Sequence, residues 1–257
     1  MNIREILSAS SMPVASPAYP KGPYRFIDRE YLTIIYESEP EAIRQALPEP
    51  LEPDGSNTVL FEVIRMPDSA GFGSYLESGI VIPAKFGSDP VNFTAQMYLN
   101  DAPPTFGGRE IWGFPKKIGE PELTINGATL MGRLSFDDAP IAIATMGYKY
   151  QHLLYDVDHG TKCHPDALMK KISKTQVNLK LIPDVDGTMA IAQLVAYEVC
   201  DVTIKGGWSG PAALQLFQHT NAPLTDLPVI KVQGGLHFIC DLTLPFGRVL
   251  YDYLGSS

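Results

Sequence analysis

Two adjacent lysines, Lys116 and Lys117, lie in the run GGREIWGFPKKIG at 107–119, with Ile111, Trp112, Phe114 and Ile118 around them and Gly113 and Pro115 fixing the backbone ahead of them. Lysine is rarely fully buried, so an ordinary Lys-Lys pair sits on a turn and points both ammonium groups at water. The apolar company of this pair allows a second reading: an amine whose pKa is lowered by an apolar wall or a cationic neighbour, and which attacks a carbonyl carbon. Such an attack needs the neutral amine. A lysine of ordinary pKa, about 10.4, is almost wholly protonated at pH 7, so its pKa must fall by roughly 4, equivalent to ~5 kcal/mol against the ammonium form. Consecutive residues of an extended strand point to opposite faces, so both lysines share one pocket only on a bent or helical backbone. Desolvation is therefore expected to be the larger effect.

Other motifs that suggest chemistry fall away. GFGS, with Gly71 and Gly73, lacks the third glycine and the strand-to-helix setting of a dinucleotide fingerprint, and no Walker A lysine is present. GGWSGP places Pro211 where a nucleophile elbow around Ser209 needs glycine. His152, His159 and His164 share a loop-like region without the spacing of a zinc site, so no metal is expected. Asn92-Phe93-Thr94 is formally a glycosylation sequon, but it falls inside a predicted strand and carries no weight. The formal charge of −9, from 20 Lys+Arg against 29 Asp+Glu, leaves no basic stripe for a nucleic-acid backbone. Cys163, Cys200 and Cys240 are odd in number and widely spaced, which excludes a disulfide framework and fits a reducing cytosol. The first twenty residues have no apolar core of a secretory signal, and no apolar run approaches the ~20 residues that span a bilayer. The expectation is a cytoplasmic protein with neither nucleic acid nor membrane as a partner.

The scaffold that must position the lysines is 257 residues long and 45% hydrophobic, enough for a sizeable core. With 22 glycines and 22 prolines, long uninterrupted helices are excluded. Ile3, Ile6 and Leu7 predict a short amphipathic helix, followed by an extended arm carrying Pro13, Pro17, Pro20 and Pro23. YLTIIYE at 31–37 predicts a strand, and 39–47 a helix capped by Ser38 and stopped by Pro48 and Pro50. Further strands are predicted at 58–64, 92–99, 130–136, 141–146, 177–182, 190–203, 236–244 and 249–253. Turns are expected at Asn126-Gly127, Asp186-Gly187, Gly206-Gly207 and Gly234-Gly235, and helices at 165–173 and 211–219. Strands without βαβ alternation predict one mainly β (α+β) domain over 1–257, its antiparallel sheet closed or sandwiched and its helices peripheral. On 58–64, Leu60, Glu62 and Ile64 share a face, and the reading taken is that Glu62 points inward as a functional group.

At this point the motifs take on a family likeness. GREIWGFPKKIGEP resembles the active-site segment of the acetoacetate decarboxylase family. The likeness continues in SPAYPKGPYRFIDREYLTIIY, LESGIVIP, ATMGYKY, NLKLIPDVDG, GWSGPAALQLFQHTNAPLTDLPV and VLYDYL, and so covers almost the whole chain. The family is itself a known example of a lysine activated by desolvation or a cationic neighbour. The resemblance implies that Lys116 is a Schiff-base nucleophile, Lys117 a residue that tunes it, Glu77 a proton shuttle, and Arg29, Glu62, Met97 and Phe114 substrate-binding residues. Some relatives carry tyrosine where this chain has Phe114, so no role of that phenol transfers. Arg29 is left with two roles, holding the substrate carboxylate or orienting Glu77, and Glu77 is expected to be proton-loaded in an apolar pocket.

The implied fold is an antiparallel β-barrel or cone with a few peripheral helices, in which the helix and proline-rich arm of residues 1–25 pack on the barrel or on a neighbouring subunit. The implied assembly is a homo-oligomer, a dodecamer. The implied reaction is decarboxylation of acetoacetate to acetone and carbon dioxide, with a protonated imine as electron sink and no cofactor. Two alternatives stand beside it: Schiff-base aldol condensation, dehydration or cyclisation of another keto acid on the same fold, and a non-catalytic β-barrel binding an apolar carbonyl ligand. Retention of Arg29, Glu62 and Glu77 with Lys116 favours the decarboxylase.

Overall fold

The computed structural model describes residues 1–156, 161–162 and 166–255. The chain opens with α1 (Ile3–Ser8), whose start is fixed by a capping box: Asn2 accepts from the Glu5 N–H, and Glu5 from the Asn2 N–H. The arm that follows ties back to the body through Tyr19, whose carbonyl accepts from Ser10 Oγ and whose hydroxyl donates to Glu110. Then come β1 (Tyr24–Glu37), α2 (Pro40–Ala46), β2 (Leu51–Pro53), β3 (Thr58–Ser69), β4 (Gly73–Phe86), β5 (Asp89–Leu99), α3 (Ala102–Gly107) and β6 (Lys116–Ile118). A meander of β7 (Glu120–Asn126), β8 (Thr129–Phe136) and β9 (Ala139–Gly147) leads to β10 (Gln151–His152), β11 (Tyr155–Asp156), β12 (Thr161–Lys162) and α4 (Asp166–Ile172). The last part holds β13 (Gln176–Pro183), β14 (Met189–Tyr197), β15 (Cys200–Gly210), β16 (Ala212–Leu216), β17 (Lys231–Leu244) and β18 (Arg248–Asp252).

The protein is mainly β. One large sheet runs β10-β15-β17-β1-β3-β4-β5-β13-β14-β18, with β2 added to β4 and β6 to β5, and a smaller sheet runs β16-β9-β8-β7. Most pairs are antiparallel, but β6 and β13 lie parallel to β5. The hydrogen-bonded path does not return on itself: the end strands, β10 of 2 residues and β18 of 5, do not pair. The closed barrel or cone expected from the resemblance is thus not closed by strand pairing among the described residues.

Alternation sorts the large sheet's side chains into two layers. Leu32 and Ile34 of β1 and Phe61 and Val63 of β3 meet Leu130 and Ile141 of the small sheet, and each such side chain contributes ~1.5–3 kcal/mol on burial. The sheets come close at Gly132, where a Cβ would stand 2.7 Å from Val63 Cγ2. On the other face lie Tyr31, Ile64, Met97, Phe114 and Phe238, and this layer encloses the site.

Several sequence expectations are corrected. Ser38 does not cap α2: its N–H bonds Asn57 O as part of the sheet end, the helix starts one residue later from Glu39, and Ser38 Oγ is buried without a partner among the described residues. The strand expected at 190–203 breaks between β14 and β15. The helix expected at 211–219 is instead β16, because pairing with β9 overrides the local preference of the ALQL run. Gly206-Gly207 and Gly234-Gly235 are not turns but lie inside β15 and β17, where bare backbone lets Trp208 and Met146 pack close. The 14-residue β4 is the largest element the sequence reading left out. His159, His164 and Cys163 lie outside the described residues.

Candidate active site

Three neighbouring strands and one short edge strand deliver the charged groups. In β1 the register against β17 shifts between Phe26 and Arg29, with Asp28 at φ 54°; Arg29 shares the face of Tyr31 by alternation, and the bulge puts Phe26 on that face as well. The guanidinium carbon lies 5.1 Å from the Phe26 ring centre and 4.9 Å from that of Tyr31. In β3, Leu60, Glu62 and Ile64 all line the cavity, the face that alternation predicts. Glu77 stands on β4 opposite Ile64 of β3 and Leu99 of β5. Lys116 opens β6 opposite Met97 of β5.

Lys116 is delivered by a tightly held connection. After α3 the chain makes one π-helical turn (Gly108–Trp112) and leaves it through Gly113 at φ 74°. A side chain at Gly113 would collide with the Lys180 backbone as well as be strained, so glycine is required there. The turn is clamped at its carbonyl end by Lys180 Nζ on Ile111 O (3.1 Å) and by Asn178 Nδ2 on Trp112 O (3.3 Å). Trp112 Nε1 donates to Pro245 O (2.9 Å), and Arg109 Nη1 to the Lys116 carbonyl (2.9 Å).

The result is a chain of charges inside an apolar layer. Arg29 Nη2 is 2.8 Å from Glu77 Oε1, and Lys116 Nζ is 3.6 Å from Glu77 Oε2. Lys116 Nζ also donates to Pro104 O at 3.1 Å and lies 4.9 Å from the centre of the Phe114 ring. Glu62 accepts from Thr33 Oγ1 at 3.2 Å. Lys116 is 6% exposed and Glu77 4%. Together with Met97 and Phe114 these groups line a cavity of about 100 Å³.

Burial is the largest influence on Lys116 and pushes its pKa down; the Glu77 carboxylate opposes this and the Arg29 charge reinforces it. Three tyrosines that sequence reasoning missed, Tyr31, Tyr75 and Tyr197, also line the cavity, and burial pushes their phenols well up, so they remain neutral hydrogen-bond donors. Tyr197 packs edge-on against Phe114, ring centres 5.4 Å apart.

Of the residues predicted to form the site, Arg29, Glu62, Glu77, Met97, Phe114 and Lys116 come together. Lys117 does not. It leaves the opposite face of β6, donates to Asn221 O at 2.7 Å and lies over the Phe136 ring at 5.6 Å. The cation acting on Lys116 is Arg29, for which the resemblance implied substrate binding or orientation of Glu77 and no part in tuning the lysine. Nor does Glu77 stand alone in an apolar wall, for it lies between the two basic groups. Among the described residues no three His, Cys, Asp or Glu side chains are grouped as metal ligands.

The model of the acetoacetate decarboxylase family matches residues 11–254. An acetoacetate decarboxylase of Chromobacterium violaceum is 48% identical over 246 residues, 96% of each chain. Two solved structures are also similar. One, of an acetoacetate decarboxylase, has a TM-score of 0.92 at 39% identity, covering 99% of this chain and 100% of that one. The other, acetoacetate decarboxylase from Legionella pneumophila, has a TM-score of 0.88 at 42% identity, covering 97% and 96%.

Proposed function

The chain belongs to the acetoacetate decarboxylase family, and from that premise we propose that it converts acetoacetate to acetone and carbon dioxide through an imine on Lys116. The observation that carries this reading is the burial of Lys116, which disfavours its ammonium form, in a cavity that also holds a carboxylate ion-paired to an arginine. The Nζ lone pair adds to the keto carbon to give a carbinolamine. Loss of water leaves a protonated imine. The electrons of the bond to the carboxylate then flow into that imine, releasing carbon dioxide and an enamine. Protonation at carbon and addition of water return acetone and the free lysine.

Glu77, 3.6 Å from Nζ, moves the protons of carbinolamine formation and collapse, and Arg29 orients it. Glu62 faces the substrate, while Met97 and Phe114 form the apolar wall. Lys117 acts from outside the cavity as a tether of β6. Residues 1–257 form one domain whose large sheet is the wall of the family's cone. Its assembly is a homo-oligomer, a dodecamer; the exposed Ile3, Ile6 and Leu7 of α1 support burial of the arm against a neighbour, and light scattering of the purified chain tests the stoichiometry. The cytoplasm is its compartment, in keeping with the free Cys200 and Cys240.

The reaction is tested by incubating the protein with acetoacetate, reducing with borohydride and mapping the modified peptide. An isopropyl group on Lys116 is expected. An adduct that keeps its carboxylate would favour condensation or dehydration of a keto acid, and no adduct would favour a non-catalytic binding protein.

A further inference from the structure

We propose that Gly108 is a positioning residue for Lys116: the missing side chain at 108 opens the space in which the lysine stem crosses the helical turn and reaches the cavity. The proposal rests on the reading of Lys116 as nucleophile and goes beyond it.

The backbone gives no reason for glycine here. Gly108 has φ −62° and ψ −44°, ordinary right-handed helix, where alanine is the better helix former. The reason is steric. A Cβ at 108 would stand 2.7 Å from Lys116 Cδ, 2.8 Å from Cε and 2.9 Å from Nζ, all closer than side-chain carbons approach. Gly113, a few residues on, is a different case, because its obstacle is the Lys180 backbone. At Gly108 the obstacle is the far end of a flexible side chain, so a methyl group is accommodated by swinging the lysine aside and leaving the helix in place.

That swing is what the site does not tolerate. Nζ is held by Pro104 O at 3.1 Å, stands 3.6 Å from Glu77 Oε2 and lies 4.9 Å from the Phe114 ring centre. The backbone of Gly108 is itself buried and packs beside the lysine stem. A methyl group there both displaces the amine and opens its surroundings. A misplacement of ~1 Å in a reacting group lowers the rate about 100-fold.

The test is a four-member cycle in the full-length protein: wild type, Gly108→Ala, Lys116→Ala and the double variant. For Gly108→Ala the expected result is a folded protein whose kcat and borohydride-trapping rate fall about 100-fold with KM little changed. Lys116 in that variant should acetylate with a midpoint pH above the wild-type value. In urea, Gly108→Ala should lower the unfolding midpoint when Lys116 is present and not when residue 116 is alanine. Unchanged kcat and trapping rate would overturn the proposal. So would an equal loss of urea midpoint with and without the lysine, which applies even if Gly108→Ala alone fails to fold. Failure of the wild type to trap substrate would instead overturn the functional reading, and the urea cycle would still decide the steric claim.

Discussion

Arg29 and Glu77 form a buried ion pair, Nη2 to Oε1 at 2.8 Å, and the second oxygen of the same carboxylate faces Lys116 Nζ at 3.6 Å. Glu77 therefore has two effects of opposite sign on the reaction. In the proposed mechanism it carries the protons of imine formation, which speeds the reaction. It also favours the ammonium form of Lys116, both by attracting that charge and by neutralising Arg29, whose charge pushes the lysine toward neutrality, and this slows it. The lysine stays depressed because burial outweighs the carboxylate.

Replacing Glu77 by glutamine separates these effects. The Lys116 pKa loses its main upward influence and falls further, so the acid limb of the pH–rate profile moves to lower pH. The rate itself drops by about 100-fold or more because the proton carrier is gone. Leaving Arg29 buried without its partner costs about 3–5 kcal/mol in urea unfolding. An acid limb that moves to higher pH would contradict this assignment.

Lys117→Ala tests the other candidate for tuning the nucleophile. Lys117 Nζ is bonded to Asn221 O on the far face of β6. The variant should keep kcat within a few-fold of wild type, with the pH profile unmoved, since Lys117 is not among the charges acting on Lys116. A profile shifted toward higher pH would show that the second lysine acts on the first across the strand.

Lys116→Met abolishes turnover and should stabilise the fold at neutral pH. The sign follows from linkage. The folded pKa of Lys116 lies below its unfolded value of about 10.4, so between the two the unfolded chain binds more protons and stability rises with pH. The wild-type penalty is full below the folded pKa and gone above the unfolded one. Urea midpoints of the two proteins, measured from pH 7 to 11, should therefore converge as pH rises. A constant offset would argue against a buried, depressed amine.

On the far face of β1, Glu30 bonds His237 Nε2 at 2.8 Å and pairs with Arg65. Burial opposes its charge, but the His237 and Arg65 hydrogen bonds outweigh it and hold the Glu30 carboxyl below its usual range. Its stabilisation is thus present above the unfolded pKa of about 4.3 and lost as pH falls through the lower folded value. Glu30→Gln should lower Tm at pH 7 and the difference should shrink toward pH 3, read by calorimetry at several pH values.

What the sequence revealed of this site follows from how local each feature is. The period of two in a strand was enough to aim Glu62 with Leu60 and Ile64, and to separate Lys116 from Lys117 on opposite faces of β6. Alternation with Tyr31 also aims Arg29, but Phe26 joins them three residues earlier only through a bulge against the partner strand β17, which no pattern within β1 signals. Strand β4 carries Gly79 and Pro83, which weaken a strand pattern, yet Gly79 is needed where a Cβ would strike Gln96 O at 2.2 Å. Tyr197 and the Pro104 carbonyl reach the site only through tertiary packing, from β14 and α3. The run at 212–216 is read as helix by its residues and becomes β16 because β9 offers it an edge. The family likeness supplied the roles that spacing could not.

The central claim is that Lys116 is a neutral nucleophile because it is buried. It is tested most directly by acetylating the native protein with acetic anhydride over a range of pH and quantifying the 116-containing peptide by mass spectrometry. The account predicts a midpoint well below the about 10.4 of an ordinary lysine, unchanged by Lys117→Ala. A midpoint near 10.4 would contradict it.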